Sequence, residues 1–177
     1  MNCSIKEVAR VLLVVAILAG GTLFGASDVR AQEAGGTLAQ QIQGTWMLVA
    51  IYNEQDGKKI DQFGPDPRGL MIYTRDGRFT HIIMRASLPK FASNSRMKGT
   101  FEENSAVVQG AIAYFGMYTV ANEKEQIVIL HVEGSIFPNW NGTDQKRNVT
   151  VIGDEMKVIT TTAAIGGTNY SVWKRAK

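Results

Sequence analysis

From residue 45 onward the chain runs in short stretches where Val, Ile, Tyr, Phe and Thr alternate with polar positions, separated by clusters of Gly, Asp and Asn. A repeat of two is that of a β-strand, because successive side chains leave opposite faces. The pattern predicts eight strands, over 45–53, 70–74, 79–84, 114–121, 127–133, 147–152, 157–162 and 170–174. Arg75-Asp76-Gly77-Arg78 and Gly153-Asp154-Glu155 carry residues that tolerate the positive φ of tight hairpins, so neighbours in sequence are expected to pair antiparallel. Two connections are longer. One spans 55–68 and contains Phe63-Gly64-Pro65-Asp66-Pro67; the other spans 86–113, with helix-forming content over 102–111. Long loops in compact domains often act as lids or binding segments. The expected fold class is all-β: an eight-stranded antiparallel up-and-down barrel with a short helical insertion between the third and fourth strands. Closure removes exposed edges and leaves an interior that side chains or one small ligand can fill. A two-sheet sandwich is the alternative.

Ahead of the strands, Lys6 and Arg10 precede an apolar stretch over 11–24, and Val29-Arg30-Ala31 offers a small-residue cleavage site. The division expected is a signal peptide at 1–31, a flexible lead-in at 32–43 with a helical turn over 38–43, and a barrel domain at 44–177. Gly20, Gly21 and Thr22 interrupt the apolar stretch, which falls short of the roughly 20 residues of a spanning helix. The expected location is therefore periplasmic or secreted, with cleavage near Ala31 and no stable membrane span afterwards; a retained anchor is the alternative. The only cysteine, Cys3, lies ahead of the apolar stretch, where a lipid-attachment cysteine would follow it. Losing the leader leaves no thiol, which excludes disulfides, thiolate catalysis and sulfur-ligated zinc.

The composition, 45% hydrophobic and 20% charged in 177 residues, suits one globular domain. The net charge is +3, and because Lys6, Arg10 and Arg30 outnumber Glu7 and Asp28 in the leader, its removal lowers that by one. Apart from Lys146-Arg147 and the tail Lys174, Arg175 and Lys177, basic residues are scattered, so no stripe for nucleic-acid phosphates is present. Asn141-Gly142-Thr143, Asn148-Val149-Thr150 and Asn169-Tyr170-Ser171 fit the glycosylation acceptor pattern, which matters only in a eukaryotic secretory pathway.

Several blocks resemble the lipocalin-like domain family of bacteria and fungi, a group of calycin-type barrels. Gly44-Thr45-Trp46 is similar to the Gly-x-Trp of the first strand, and Trp173-Lys174-Arg175 to the last strand. The resemblance continues through Phe63-Gly64-Pro65-Asp66-Pro67-Arg68-Gly69, Ile72-Tyr73-Thr74-Arg75-Asp76-Gly77 and Ala113-Tyr114-Phe115-Gly116-Met117-Tyr118. It is longest over 131–143, from His131-Val132-Glu133-Gly134 to Trp140-Asn141-Gly142-Thr143, followed by Gln145 and Arg147. It implies a barrel closed by Arg175 lying across Trp46, a cation–π contact worth about 1 kcal/mol beyond the buried area. The chain departs from the family pattern at Leu130, where a second histidine often precedes His131, and at Phe115, where a small residue is usual.

Alternation along 127–135 puts Ile129, His131 and Glu133 on one face and Val128, Leu130 and Val132 on the other. We expect the polar face to turn inward, with Arg147 as the counter-charge of Glu133. Such a group is either a structural network plugging one end of the barrel, or a cradle for the polar head of a ligand whose body lies on Trp140, Tyr118 and Tyr73. A third reading is acid–base catalysis by His131 and Glu133. His81 shares a face with Phe79, Ile83 and Arg85 and reads as a core or rim histidine. The ligand-binding candidates are thus Tyr73, His81, Arg85, Tyr118, His131, Glu133, Trp140 and Arg147, with Trp46 and Arg175 as structural closure. No metal, cofactor, phosphate-loop or nucleophile-elbow motif occurs, so neither a metal nor a cofactor is expected. The leading expectation is an exported protein that binds a small hydrophobic or amphipathic molecule. An isomerase or cyclase in the same scaffold, and a structural envelope protein with a filled barrel, are the alternatives.

Overall fold

The computed structural model describes residues 36–177; the expected leader, its cleavage point and the start of the lead-in lie outside the described residues. The described residues form nine strands: β1 Gly44–Gln55, β2 Lys58–Ile60, β3 Arg68–Tyr73, β4 Arg78–Met84, β5 Ala111–Asn122, β6 Ile127–Ser135, β7 Asp144–Ile152, β8 Glu155–Thr160 and β9 Thr168–Arg175. Each pairs antiparallel with its sequence neighbour from β3 to β9, and β1 pairs with both β3 and β9. The result is a closed eight-stranded barrel. The ninth strand, β2, extends the end of β1 outside it, with Asn53 opposite Ile60. It was not expected from the sequence because all three of its residues are exposed, leaving no alternation to read. Among the described residues no helix is long and apolar enough to cross a membrane.

Turn chemistry sets the hairpins. Gly77, at φ 82°, and Gly153, at φ 59°, occupy the left-handed backbone region that a residue with a Cβ enters at a cost. The insertion forms α2, Phe101–Gly110, whose capping box has Thr100 Oγ1 accepting from Glu103 N while the Glu103 carboxylate accepts from Thr100 N. Within the expected lead-in, α1 Leu38–Ile42 is held by a second capping box, Thr37 with Gln40, and buries Leu38 and Ile42. The helix falls where a helical turn over 38–43 is expected from the sequence.

Alternation around the barrel puts the 74–77, 123–126 and 153–154 turns at one end together with α1, and the longer connections 56–67, 85–110, 136–143 and 161–167 at the other. The first end is closed. Trp46 is fully buried there, its Nε1 donating to Ile42 O at 2.7 Å. The Arg175 guanidinium lies 4.2 Å from the Trp46 ring and donates to the carbonyls of Gln41 and Gln43. Above this layer Tyr73, Phe79 and Tyr118 pack edge to face or tilted against one another, with Met71, Leu130, Val149 and Met156 around them.

Of three register shifts among the described strands, at Leu48/Ala50, Phe115/Gly116 and Val120/Asn122, the first two bear on which residues face the interior. One falls between Leu48 and Ala50, leaving Val49 exposed and turning Ile51 and Asn53 inward. The other falls between Phe115 and Gly116, where Phe115 pairs with Gly134 and Gly116 with Val132, so Glu133 is the extra residue of a β-bulge.

Candidate functional site

β6 turns the opposite way from the sequence expectation. Val128, Leu130 and Val132 are buried in the barrel, while His131 and Glu133 lie on the outer wall. The physical reason is direct: the apolar trio gains by leaving water, whereas burying two ionisable groups costs several kcal/mol unless both are paired. Glu133 pairs with Arg78 at 3.1 Å on the surface and not with Arg147. His131 bridges neighbouring strands on the outside, its Nδ1 2.6 Å from Asp144 Oδ1 and its Nε2 3.2 Å from Thr119 Oγ1. Acid–base chemistry by His131 and Glu133 on a molecule inside the barrel therefore has no geometry to support it.

The polar groups that do face inward come from other strands. β4 presents Phe79, His81 and Ile83, β5 presents Tyr114 opposite His81 in the register, and β7 presents Gln145, Arg147 and Val149. Tyr114 Oη stands 2.5 Å from His81 Nδ1 and 3.5 Å from Arg147 Nη2. Arg147 also donates to the Gln145 side-chain oxygen and, through Nη1, to Lys146 O at 3.0 Å. The guanidinium can only donate, so the Tyr114 oxygen accepts from it, and the arrangement that also gives the Tyr114 hydroxyl an acceptor has it donate to His81 Nδ1. In that tautomer the imidazole proton is on Nε2, a buried atom without a hydrogen-bond partner.

These groups line a cavity of about 70 Å³ inside the barrel, together with Asn53, Thr160, Ser171 and the aliphatic Ile51, Ile83, Ile112 and Val158. It has room for a few waters or one small polar group. Above it, between α2 and the long connections, opens a cleft of about 630 Å³ lined mainly by Val107, Val108, Ile112, Ile136, Phe137 and Ile165, with Arg85 at its edge. Gln62, Phe63, Ile112 and Ala164 line both, so they form the common wall. Phe63 is buried in the β2–β3 connection, and Arg85 fixes that loop by donating from Nε and Nη2 to Gln62 O at 3.0 and 2.8 Å. The 161–167 connection is held by Asn53, whose Nδ2 donates to Gly166 O and whose Oδ1 accepts from Asn169.

Of the sequence candidates, His81 and Arg147 line the inner cavity and Arg85 the cleft. Tyr73 and Tyr118 belong to the packed layer below, the Tyr118 hydroxyl donating to Thr74 O at 2.8 Å. Trp140 stands edge-on to Tyr114, with ring centroids 5.0 Å apart. Tyr114, Asn53, Ser171, Phe63 and Ala164 were not anticipated. Tyr114 was within reach, because it shares a face with Tyr118 at a spacing of four along one strand.

Burial, and then the nearby Arg147 charge, lower the His81 pKa from 6.5 to about 3. Burial raises the Tyr73 hydroxyl well above its ordinary range. At neutral pH the cavity thus holds one cation, Arg147, beside a neutral imidazole. A depressed histidine stabilises the fold fully above pH 6.5, where both states are neutral, and loses that contribution as acidification protonates the unfolded chain first. Between 6.5 and about 3, His81 is expected to reduce stability by about 1.4 kcal/mol per pH unit. Urea midpoints measured at several pH values on the wild type and His81→Gln check this: the dependence should be shallower in the variant by that amount, and parallel curves would refute it.

A sequence model of the lipocalin-like domain matches residues 43–176, the whole barrel. The chain belongs to the lipocalin-like domain family. A curated protein, the 4'-hydroxy-3'-methoxypropiophenone carrier protein ppsC of Aspergillus oryzae, is 34% identical over 83 residues, covering 44% of this chain and 75% of that protein. Among solved structures, this lipocalin-like chain is similar to a mutant of the fluorescent protein UnaG at 11% identity, with a TM-score of 0.38 over 78% of this chain and 98% of that one.

Proposed function

We propose that this lipocalin-like protein is an exported carrier that holds a small, largely apolar molecule with its body in the 630 Å³ cleft and its polar end toward the inner cavity. The observation that carries the reading is an apolar cleft of ligand size, within the usual few hundred to roughly 1,000 Å³, backed by a small cavity that holds an unpartnered polar atom, His81 Nε2. The name of the Aspergillus relative supports an aromatic ketone as a first compound to test. The apolar leader read over 1–31 supports a periplasmic or secreted location.

Calorimetric titration with 4'-hydroxy-3'-methoxypropiophenone tests the reading, and Ala164→Trp locates the site. Ala164 is exposed and lines the wall common to both spaces. An indole there should obstruct the passage and lower affinity at least about tenfold, while the melting temperature moves by only about 2 °C. Undiminished binding would place the ligand elsewhere. Native mass spectrometry of protein from its own source should show retained cargo on a chain beginning at Gln32.

A filled structural barrel is the competing reading, and the small size of the inner cavity favours it. Protein that retains no compound and binds none of the probes would decide for that reading.

A further inference from the structure

Arg147 is 5% exposed, and among the described residues no carboxylate pairs with it. Its hydrogen-bond acceptors are all neutral: Gln145, the Lys146 carbonyl and, at the long distance of 3.5 Å, Tyr114. Glu133, the counter-charge expected from the sequence, is committed to Arg78 on the outer wall, and Asp144, three positions away on the same strand, is committed to His131. A buried cation without a counter-ion is an uncommon arrangement, since ions taken from water are normally matched by an opposite charge. Beside it, His81 Nε2–H is a second donor facing the same cavity with nothing to accept from it. The other polar liners, among them Thr160 and Ser171, carry no charge to match that of Arg147. Asn53 spends its amide on Gly166 and accepts from Asn169, and Ser171 Oγ accepts from Trp173 Nε1. The cavity wall is thus positively charged, rich in donors and free of acid, in a space the size of one polar group.

Resting on the carrier reading, we infer that the ligand's polar end is an anionic oxygen, an ionised phenol or a carboxylate, received by Arg147 and the Nε2–H of His81. An apolar body attached to such a group matches the two spaces in order: the oxygen below the Phe63 and Ala164 wall, the body in the cleft above. A cation a few ångströms away in a buried site favours the charged form of the ligand, so binding and ligand ionisation are coupled.

Two matched probe pairs test this on the full chain. The first is 4'-hydroxy-3'-methoxypropiophenone and its O-methyl ether; the second is dodecanoate and dodecanol. In the wild type the ionisable member of at least one pair should bind about tenfold or more tightly than its neutral partner. The absorption spectrum of the bound phenol should show phenolate at a pH roughly one unit or more below that of the free compound. Arg147→Met should equalise each pair, and Arg147→Lys should keep part of the preference. The pair that discriminates tells phenol from carboxylate. Members of both pairs binding equally to wild type, or a preference that survives in Arg147→Met, would overturn the inference and leave the carrier reading standing. Failure of all four compounds to bind would overturn both. The phenolate spectrum needs only the wild type, so the inference remains testable if Arg147→Met does not fold.

Discussion

Gly116→Ala should cost about 4 kcal/mol or more, enough to remove most of the folded protein from a domain whose whole stability is about 5–15 kcal/mol. A Cβ on Gly116 would lie 2.0 Å from His131 O and 2.9 Å from Glu133 N, both backbone atoms of the paired strand. No rotamer change relieves a clash between two backbones. The constraint is space, because the bulge at Glu133 draws β6 over β5 at this point. Gly134→Ala is the control. There the new Cβ would meet the Phe115 ring at 2.7 Å, and that ring is half exposed and free to swing. It should cost under about 1.5 kcal/mol. Urea unfolding of both variants, with soluble yield, checks the contrast, and equal losses would show that the close approach is not what constrains Gly116.

Trp46→Ala is the second large effect, expected at about 4–5 kcal/mol. Three losses combine. The indole leaves a void in the closed end, Ile42 O loses its donor, and the Arg175 guanidinium loses the face it covers. Trp46→Phe keeps most of the packing and forfeits the 2.7 Å hydrogen bond, so about 1–2 kcal/mol should go. Arg175→Met removes the charge over the ring and two donors to α1, at about 1–2 kcal/mol. Denaturant midpoints with unchanged m-values would establish that ordering. A Trp46→Ala loss no greater than that of Arg175→Met would mean that the closed end does not depend on the indole.

The barrel was legible in the sequence where the signals are local. The Asp76-Gly77 and Gly153-Asp154 turns, the strand runs between them and the helix after Thr100 each announce themselves within a few residues. The direction of β6 follows from its aliphatic set. Val128, Leu130 and Val132 gain by burial, whereas an inward His131 and Glu133 would carry the cost of burying two ionisable groups, and that balance outweighs the chemical interest of the polar face. The site itself was less legible because it is assembled across strands. His81 and Tyr114 meet only through the β4–β5 register, and Arg147 reaches them from β7. The shifts at Leu48/Ala50 and Phe115/Gly116 invert which residues look inward, and those offsets arise from pairing with a distant segment. The Phe63 loop stood out as a candidate lid, but that its ring walls the inner cavity follows only from the packed fold.

The seam that pairs Trp46 with Arg175 joins the first barrel strand to the last. Until β9 is in place, β1 and β8 carry unpaired backbone groups along the gap and the cylinder stays open. A chain cut short before β9 would expose the same two edges permanently and invite other chains to fill the vacancy.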